Sequence, residues 1–197
     1  VRPFEVAALD VAAEGALDAL RHRRRAIGAP DVAGVIHAAG VLEFEALASQ
    51  PVERVRAVME AKVVGVWRLN EALAATPLDL FVMCSSSSAL LNSPLLGVYA
   101  GGNAVLDALA HHRRATGLAA LSVNWGTWGE VGMAVEAGRS ASGDMLTGVG
   151  VLSNAAGLAA LADLLRDGDV HAAVTPIDWP TFGRAYPAFA ADPFLVE

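Results

Sequence analysis

Apolar runs of strand length alternate along this chain with longer stretches of helical period. Phe4–Asp10 (FEVAALD) reads as a strand, and an amphipathic helix is predicted over about residues 13–27. Val32–His37 (VAGVIH) is an apolar strand ending in the small-residue turn Ala38-Ala39-Gly40. After Pro51, Val55, Val58, Met59, Val63, Val66, Leu69 and Leu73 fall at helical spacing. Leu80–Cys84 predicts a third buried strand running into Ser85–Ser88, and a helix follows from about Val98 to Ala115. Leu121–Trp125 is a fourth strand, residues 154–166 a helix, and His171–Ile177 a last strand. Continuous apolar strands separated by helices belong to a parallel sheet covered on both faces, the doubly wound α/β class. Ligands of such sheets bind outside the carboxyl ends of the strands. That rule singles out Asp10, Ala38–Gly40, Ser85–Ser88 and Asn124–Gly129. Residues 130–152 are Gly-rich, follow a strand end and are expected to form a lid over the site. No repeat and no second domain is visible.

Composition narrows the classes. Among 197 residues, 14 Lys+Arg stand against 21 Asp+Glu, a net charge of −7 with no basic stripe, which disfavours nucleic acid as a partner. Hydrophobic residues reach 54%, but in short runs broken by Arg, Asp, Gly or Pro, so no membrane span is expected. One cysteine excludes a disulfide framework and a multi-thiolate zinc site, and no His or carboxylate pair has metal-ligand spacing. The charged, Pro-containing start lacks the apolar region of a signal peptide, and a cytoplasmic setting is expected. Opening on Val1 rather than Met, the chain is expected to be part of something longer. A Gly-x-Gly-x-x-Gly turn after the first strand, which would let a pyrophosphate approach a helix N-terminus, is missing.

Several residues have ordinary readings. His37 reads as a core histidine and Cys84 as core rather than nucleophile. His111-His112-Arg113-Arg114 reads as a solvated helix face, and Arg21–Arg25 as the polar face of another. Gly138-Arg139-Ser140-Ala141-Ser142 narrowly misses a nucleophile elbow and follows no strand. Taken singly, Lys62, Ser86, Tyr99 and Asn103 are equally unremarkable: a solvated lysine, a turn serine, an interfacial aromatic and a mid-helix amide.

Their combination is specific. Lys62 is the only lysine, Ser86 lies 24 residues later, Tyr99 a further 13, and Asn103 four beyond that, on the same helical face. These spacings resemble the Lys, Ser, Tyr and Asn of polyketide synthase ketoreductase domains, of the short-chain dehydrogenase/reductase superfamily. Leu9-Asp10-Val11, Val35–Leu42 (VIHAAGVL), Ala61–Trp67 (AKVVGVW), Tyr99–Leu109 (YAGGNAVLDAL), Leu121–Gly129 (LSVNWGTWG) and Ile177-Asp178-Trp179 are similar to strings of that family, so the likeness covers almost the whole chain.

The resemblance implies a Rossmann-like sheet that lacks its first strands and glycine-rich turn, the chain beginning near the third strand. It implies NADPH-dependent reduction of a β-ketoacyl thioester, carried on the phosphopantetheine arm of an acyl carrier protein, to the β-hydroxyacyl thioester. Neighbouring synthase domains are the other expected partners. Tyr99 would be the general acid, Ser86 a hydrogen-bond donor to the carbonyl oxygen, Lys62 the cation that eases the phenol's ionisation and reaches a cofactor ribose, and Asn103 the residue that holds Lys62 or a relay water. Asp10 and Val11 would contact the adenine, Ala38, Ala39 and Gly40 would let the backbone approach the cofactor, and Trp125 and Gly126 would lie near the nicotinamide. One stereochemical class of the family carries Leu-Asp-Asp where this chain has Leu42-Glu43-Phe44; the opposite class carries a Trp at the position of Leu91. The product's configuration stays open between them. The alternative to an enzyme is an inactive reductase-like scaffold, against which the full tetrad argues.

Overall fold

The computed structural model describes residues 5–91, 93–136 and 146–192. Four parallel strands form one sheet in chain order: β1 (Gly34–His37), β2 (Leu80–Ser86), β3 (Leu121–Trp125) and β4 (His171–Val174). Parallel neighbours need crossovers, and helices supply them. The first crossover is α2 (Val52–Met59), a π-helical turn (Glu60–Val64) and α3 (Gly65–Ala72); the second is α4 (Gly97–Ala115) and the third α6 (Asn154–Asp167). Before β1 runs α1 (Ala16–Ala26), and short helices α5 (Met133–Glu136), α7 (Trp179–Ala185) and α8 (Pro187–Ala190) complete the described chain. None of these helices is long and apolar enough to cross a membrane.

Both faces of the sheet are covered at β2 and β3, whereas on the edge strand β1 Ile36 stays 58% exposed. On one face Phe81 and Met83 of β2 pack with Val66 and Leu69 of α3 and with Leu106, Leu109 and Ala110 of α4. On the other, Val82, Leu121, Val123 and Trp125 pack with Leu152 and with Leu161 and Leu164 of α6. Every residue of β3 is buried. Truncating a fully buried member such as Leu106 to Ala costs about 2–5 kcal/mol.

The structure departs from the sequence pattern in four places. Residues 5–10 are not a strand: no described segment pairs with them, Val6 is exposed, and Asp10 closes a turn by accepting the Ala12 amide at 2.9 Å. Apolar alternation supplies a face, but a strand also needs a ladder partner for its backbone groups. The helix after Pro51 is not continuous, because Glu60–Val64 widens into a π turn. β4 stops at Val174, since Pro176 has no amide to extend the ladder, and Ile177 instead bridges antiparallel to Val149. Arg113, read as solvated, is 1% exposed. Its Nε donates to the Ala119 carbonyl at 3.0 Å and Nη1 to Asn70 Oδ1 at 2.7 Å, with the guanidinium 3.9 Å from the Phe81 ring centroid. Of the expected lid at 130–152, residues 137–145 lie outside the described residues, as does the near-elbow string at 138–142. The flanks are anchored: Trp128 bridges Leu152, and Gly129 donates to the Leu152 carbonyl at 3.0 Å.

Candidate active site

All four strands point their carboxyl ends the same way, so the residues following each one share an edge. β1 delivers Ala38–Gly40, β2 delivers Ser86, β3 delivers Trp125 and Gly126, and β4 delivers Thr175. Register sets Ser85 beside Asn124 and Ser86 beside Trp125. Ser86 is extended and caps the following 3-10 turn, its hydroxyl accepting the Ser88 amide at 3.2 Å.

Lys62 reaches this edge from the π turn, the kind of helix distortion that gathers at functional sites. It is 2% exposed, donates from Nζ to the Cys84 carbonyl at 2.7 Å, and lies 5.4 Å from the Tyr99 ring centroid. Burial lowers its pKa to about 8, with Cys84 and Asp107 pulling the other way. Gly40 and Gly102 make room for it: a Cβ at Gly40 would stand 2.8 Å from Lys62 Cε, and one at Gly102 3.4 Å from Lys62 Cβ.

Tyr99 lies in the first turn of α4 and is buried. Asn103, one turn later, is fully buried rather than turned to water, and its amide donates to the Tyr99 carbonyl at 2.8 Å. Burial raises the Tyr99 pKa, opposed by hydrogen bonds with the side chains of Asn103 and Ser86. Burial thus opposes ionisation of the phenol, while the Lys62 ammonium lies over the Tyr99 ring and donates to the Cys84 carbonyl.

Lys62, Ser86, Tyr99 and Asn103 are thus brought together, with Trp125 beside Ser86 in register and Gly126 buried after it. Trp125 stacks edge-on with Trp128 at 5.1 Å. A Cβ at Gly126 would press on Thr175, 2.8 Å from its Cβ. Ala38 and Ala39 are exposed on the edge. Asp10 and Val11 stand further off. Asp10 is exposed in its turn, and Val11 borders a cavity of about 260 Å³ with Glu14, Leu17 and Arg68.

Four buried polar side-chain atoms lack a protein hydrogen-bond partner around this edge: His37 Nε2, Ser88 Oγ, Asn103 Oδ1 and Thr175 Oγ1. Buried polar groups are rarely left so, and a ligand rich in hydroxyl and amide groups is what such atoms accommodate. His37 at 3% exposure has its pKa lowered to about 4, by burial first and then by Lys62, while the Ala61 and Lys62 carbonyls oppose. The sequence reading passed over Thr175, and in the buried set beneath Ser86 it missed Asp107 and Ser122, while it singled out Ser85 and Asn124 only as strand-end positions without a role. The signal was present, since Ser122 and Asn124 are polar alternates in an otherwise apolar strand.

Comparison with known proteins agrees with the likeness. The KR domain family matches residues 3–130. The phenolphthiocerol synthesis polyketide synthase type I Pks15/1 of Mycobacterium marinum is 45% identical over 128 residues, which is 65% of this chain and 6% of that protein. Polyketide synthase GfsA of Streptomyces halstedii is 40% identical over 168 residues, 84% of this chain and 2% of its own. A solved structure titled as A-type ketoreductases from modular polyketide synthase superposes with a TM-score of 0.82 at 39% identity, covering 94% of this chain and 38% of that one. The chain therefore spans a small part of the synthases it matches and under half of the solved ketoreductase chain. By sequence and by fold, the chain belongs to the ketoreductase (KR) domains of type I polyketide synthases, in the short-chain dehydrogenase/reductase superfamily.

Proposed function

We propose that these residues reduce a β-ketoacyl thioester, presented on the phosphopantetheine arm of an acyl carrier protein, to the β-hydroxyacyl thioester with NADPH as hydride donor. The observation that supports this reading is the convergence of Ser86, Tyr99, Asn103 and Lys62 at the carboxyl edge of the sheet. The buried, unpartnered Asn103 Oδ1 and Thr175 Oγ1 at this edge suit a nicotinamide cofactor. Trp125 and Gly126 would flank the nicotinamide, Lys62 and Tyr99 the adjoining ribose, and Asp10 and Val11 the adenine, with Ala38, Ala39 and Gly40 leaving room for the cofactor; preference for the 2′-phosphorylated cofactor rests on the family likeness.

NADPH supplies the hydride. The chain's own residues handle the carbonyl oxygen. Ser86 donates a hydrogen bond as negative charge develops there, the interaction that gains most in a water-poor site. Tyr99, protonated at neutral pH as a phenol ordinarily is, gives its phenolic proton to the same oxygen. Lys62, still largely protonated at neutral pH with a pKa of about 8, faces the phenolate that forms. Asn103 ties its own turn to the Tyr99 backbone and aims Oδ1, free of any protein partner, at a proton-relay position.

The alternative, a reductase-like scaffold without activity, keeps the fold and does not use the tetrad. The test is NADPH oxidation with a β-ketoacyl thioester in the native polypeptide that contains these residues, against Tyr99→Phe. A loss of roughly 10²–10⁴-fold is expected. Equal rates would sink the catalytic reading.

A further inference from the structure

Beneath Ser86, on the face of the sheet turned to α4, a polar layer interrupts the apolar packing. Ser85, Asp107, Ser122 and Asn124 are all buried there, and Ser122 and Asn124 have no exposed surface. Apolar residues would fill such a layer without the desolvation penalty, so its hydrogen bonds call for another reason.

The bonds converge on one side chain. Asn124 Nδ2 faces Asp107 Oδ2 at 2.9 Å, Ser85 Oγ at 3.0 Å and the Ser86 carbonyl oxygen at 3.1 Å. Its orientation is set by the Asp107 carboxylate, which also accepts Ser122 Oγ at 2.6 Å and takes only donors; Asn124 Oδ1 is thereby turned to His171 Nε2, which then serves as the donor. Asp107 lies on α4 one turn beyond Asn103 and two beyond Tyr99, on the same face. Asn124 thus links the helix that carries Tyr99 and Asn103 to the strand end that carries Ser86.

We propose that Asn124 is a positioning residue for Ser86: oriented by Asp107, it fixes the Ser86 carbonyl and so the direction of the Ser86 hydroxyl relative to Tyr99. The inference rests on the reductase reading of this site. It assigns Asn124 no contact with substrate, so its effect passes through Ser86.

The test measures kcat and KM for a β-ketoacyl thioester in the native polypeptide, with Asn124→Ala made alone and in a Ser86→Ala background. Alone, it should lower kcat by about 10–100-fold with KM changed by less than about threefold, the size of loss that misplacing a reacting group produces. In the Ser86→Ala background it should lower kcat no further. A second variant separates position from packing. In Asp107→Asn with Asn124→Asp, donor and acceptor are exchanged, so the bond between the two side chains and the melting temperature are expected to recover. A carboxylate oxygen then meets the Ser86 carbonyl, and kcat should stay low. Equal fold-losses in both backgrounds, or full kcat in the exchanged pair, would overturn the proposal. Where Asn124→Ala does not fold, the exchanged pair carries the decision. Tyr99→Phe is measured alongside: full activity there removes the reductase reading itself, whereas an inactive Tyr99→Phe beside indifferent Asn124 variants removes only the positioning role.

Discussion

The ammonium of Lys62 donates a 2.7 Å hydrogen bond to the backbone carbonyl of Cys84, which ties the π turn to the strand that ends in Ser86. That bond replaces only part of the water the ammonium loses at 2% exposure, and its pKa falls from 10.5 to about 8. Between those two pH values the unfolded chain holds the extra proton, so stability rises with pH across the window and is fully reduced below pH 8. The charge therefore costs stability at neutral pH, on the order of 3 kcal/mol. Lys62→Met, which keeps the length and removes the charge, is expected to raise the melting temperature at pH 7, with a smaller gain near pH 10, while abolishing reduction. Thermal melts at both pH values check the sign; a lower melting temperature at pH 7 would contradict it.

Gly40 faces the same side chain. A Cβ there would stand 2.8 Å from Lys62 Cε and 3.5 Å from Nζ. The obstructed atoms are the far end of a flexible chain, so the fold can yield and the ammonium moves instead. Gly40→Ala is expected to change stability by under about 1 kcal/mol and to lower kcat at least tenfold. Melting curves and steady-state rates on one preparation measure both; parallel loss of stability and activity would instead mark Gly40 as a packing residue.

The pattern of apolar residues was enough to place β1, β2, β3 and the long helices, most securely for β2, β3 and α4, which bury faces that their own sequences display. Lys62, Ser86, Tyr99 and Asn103 were found because their spacing resembles the tetrad of the ketoreductase family, and their residue types gave no warning of their burial. What stayed hidden depends on partners distant in the chain. Residues 5–10 look like a strand but have no ladder partner among the described residues. Arg113 looks solvated until Asn70 and the Phe81 ring enclose it, and the Asp107–Asn124 pair exists only once α4 lies across β3. The short helix α7 was legible and overlooked. Asp178 is its N-cap, accepting Thr181 Oγ1 at 2.7 Å, and Pro180 sits in its first turn, both ordinary start signals.

His37 gives the fold an acid limit. Its folded pKa is about 4 against 6.5 unfolded, so from pH 6.5 down to 4 the unfolded chain takes up a proton that the folded chain refuses. Stability should fall across that window, and the ring's neighbours Lys62, Ala61 and Gly65 offer no anion to soften it. His37→Gln keeps a polar side chain that does not titrate and is expected to flatten the dependence of urea midpoints on pH between 6.5 and 4. An unchanged slope would place the acid sensitivity elsewhere.

Leu95 has φ 65°, the left-handed region, and is the one non-glycine residue with positive φ among those described. Its side chain is half exposed and cannot recover the strain through packing. Its carbonyl accepts the Glu45 amide at 3.0 Å, and two residues on begins α4, the helix that presents Tyr99. The conformation is thus held by the backbone contact rather than by leucine. Glycine adopts it freely, although it adds entropy to the unfolded chain, and the left-handed conformation costs other residues roughly 1–2 kcal/mol. Leu95→Gly is expected to stabilise the fold by about 1 kcal/mol, seen as a higher urea midpoint at unchanged slope. Leu95→Val, branched at Cβ, should lower that midpoint. If the two substitutions shifted it in the same direction, backbone strain at Leu95 would not be what limits stability here.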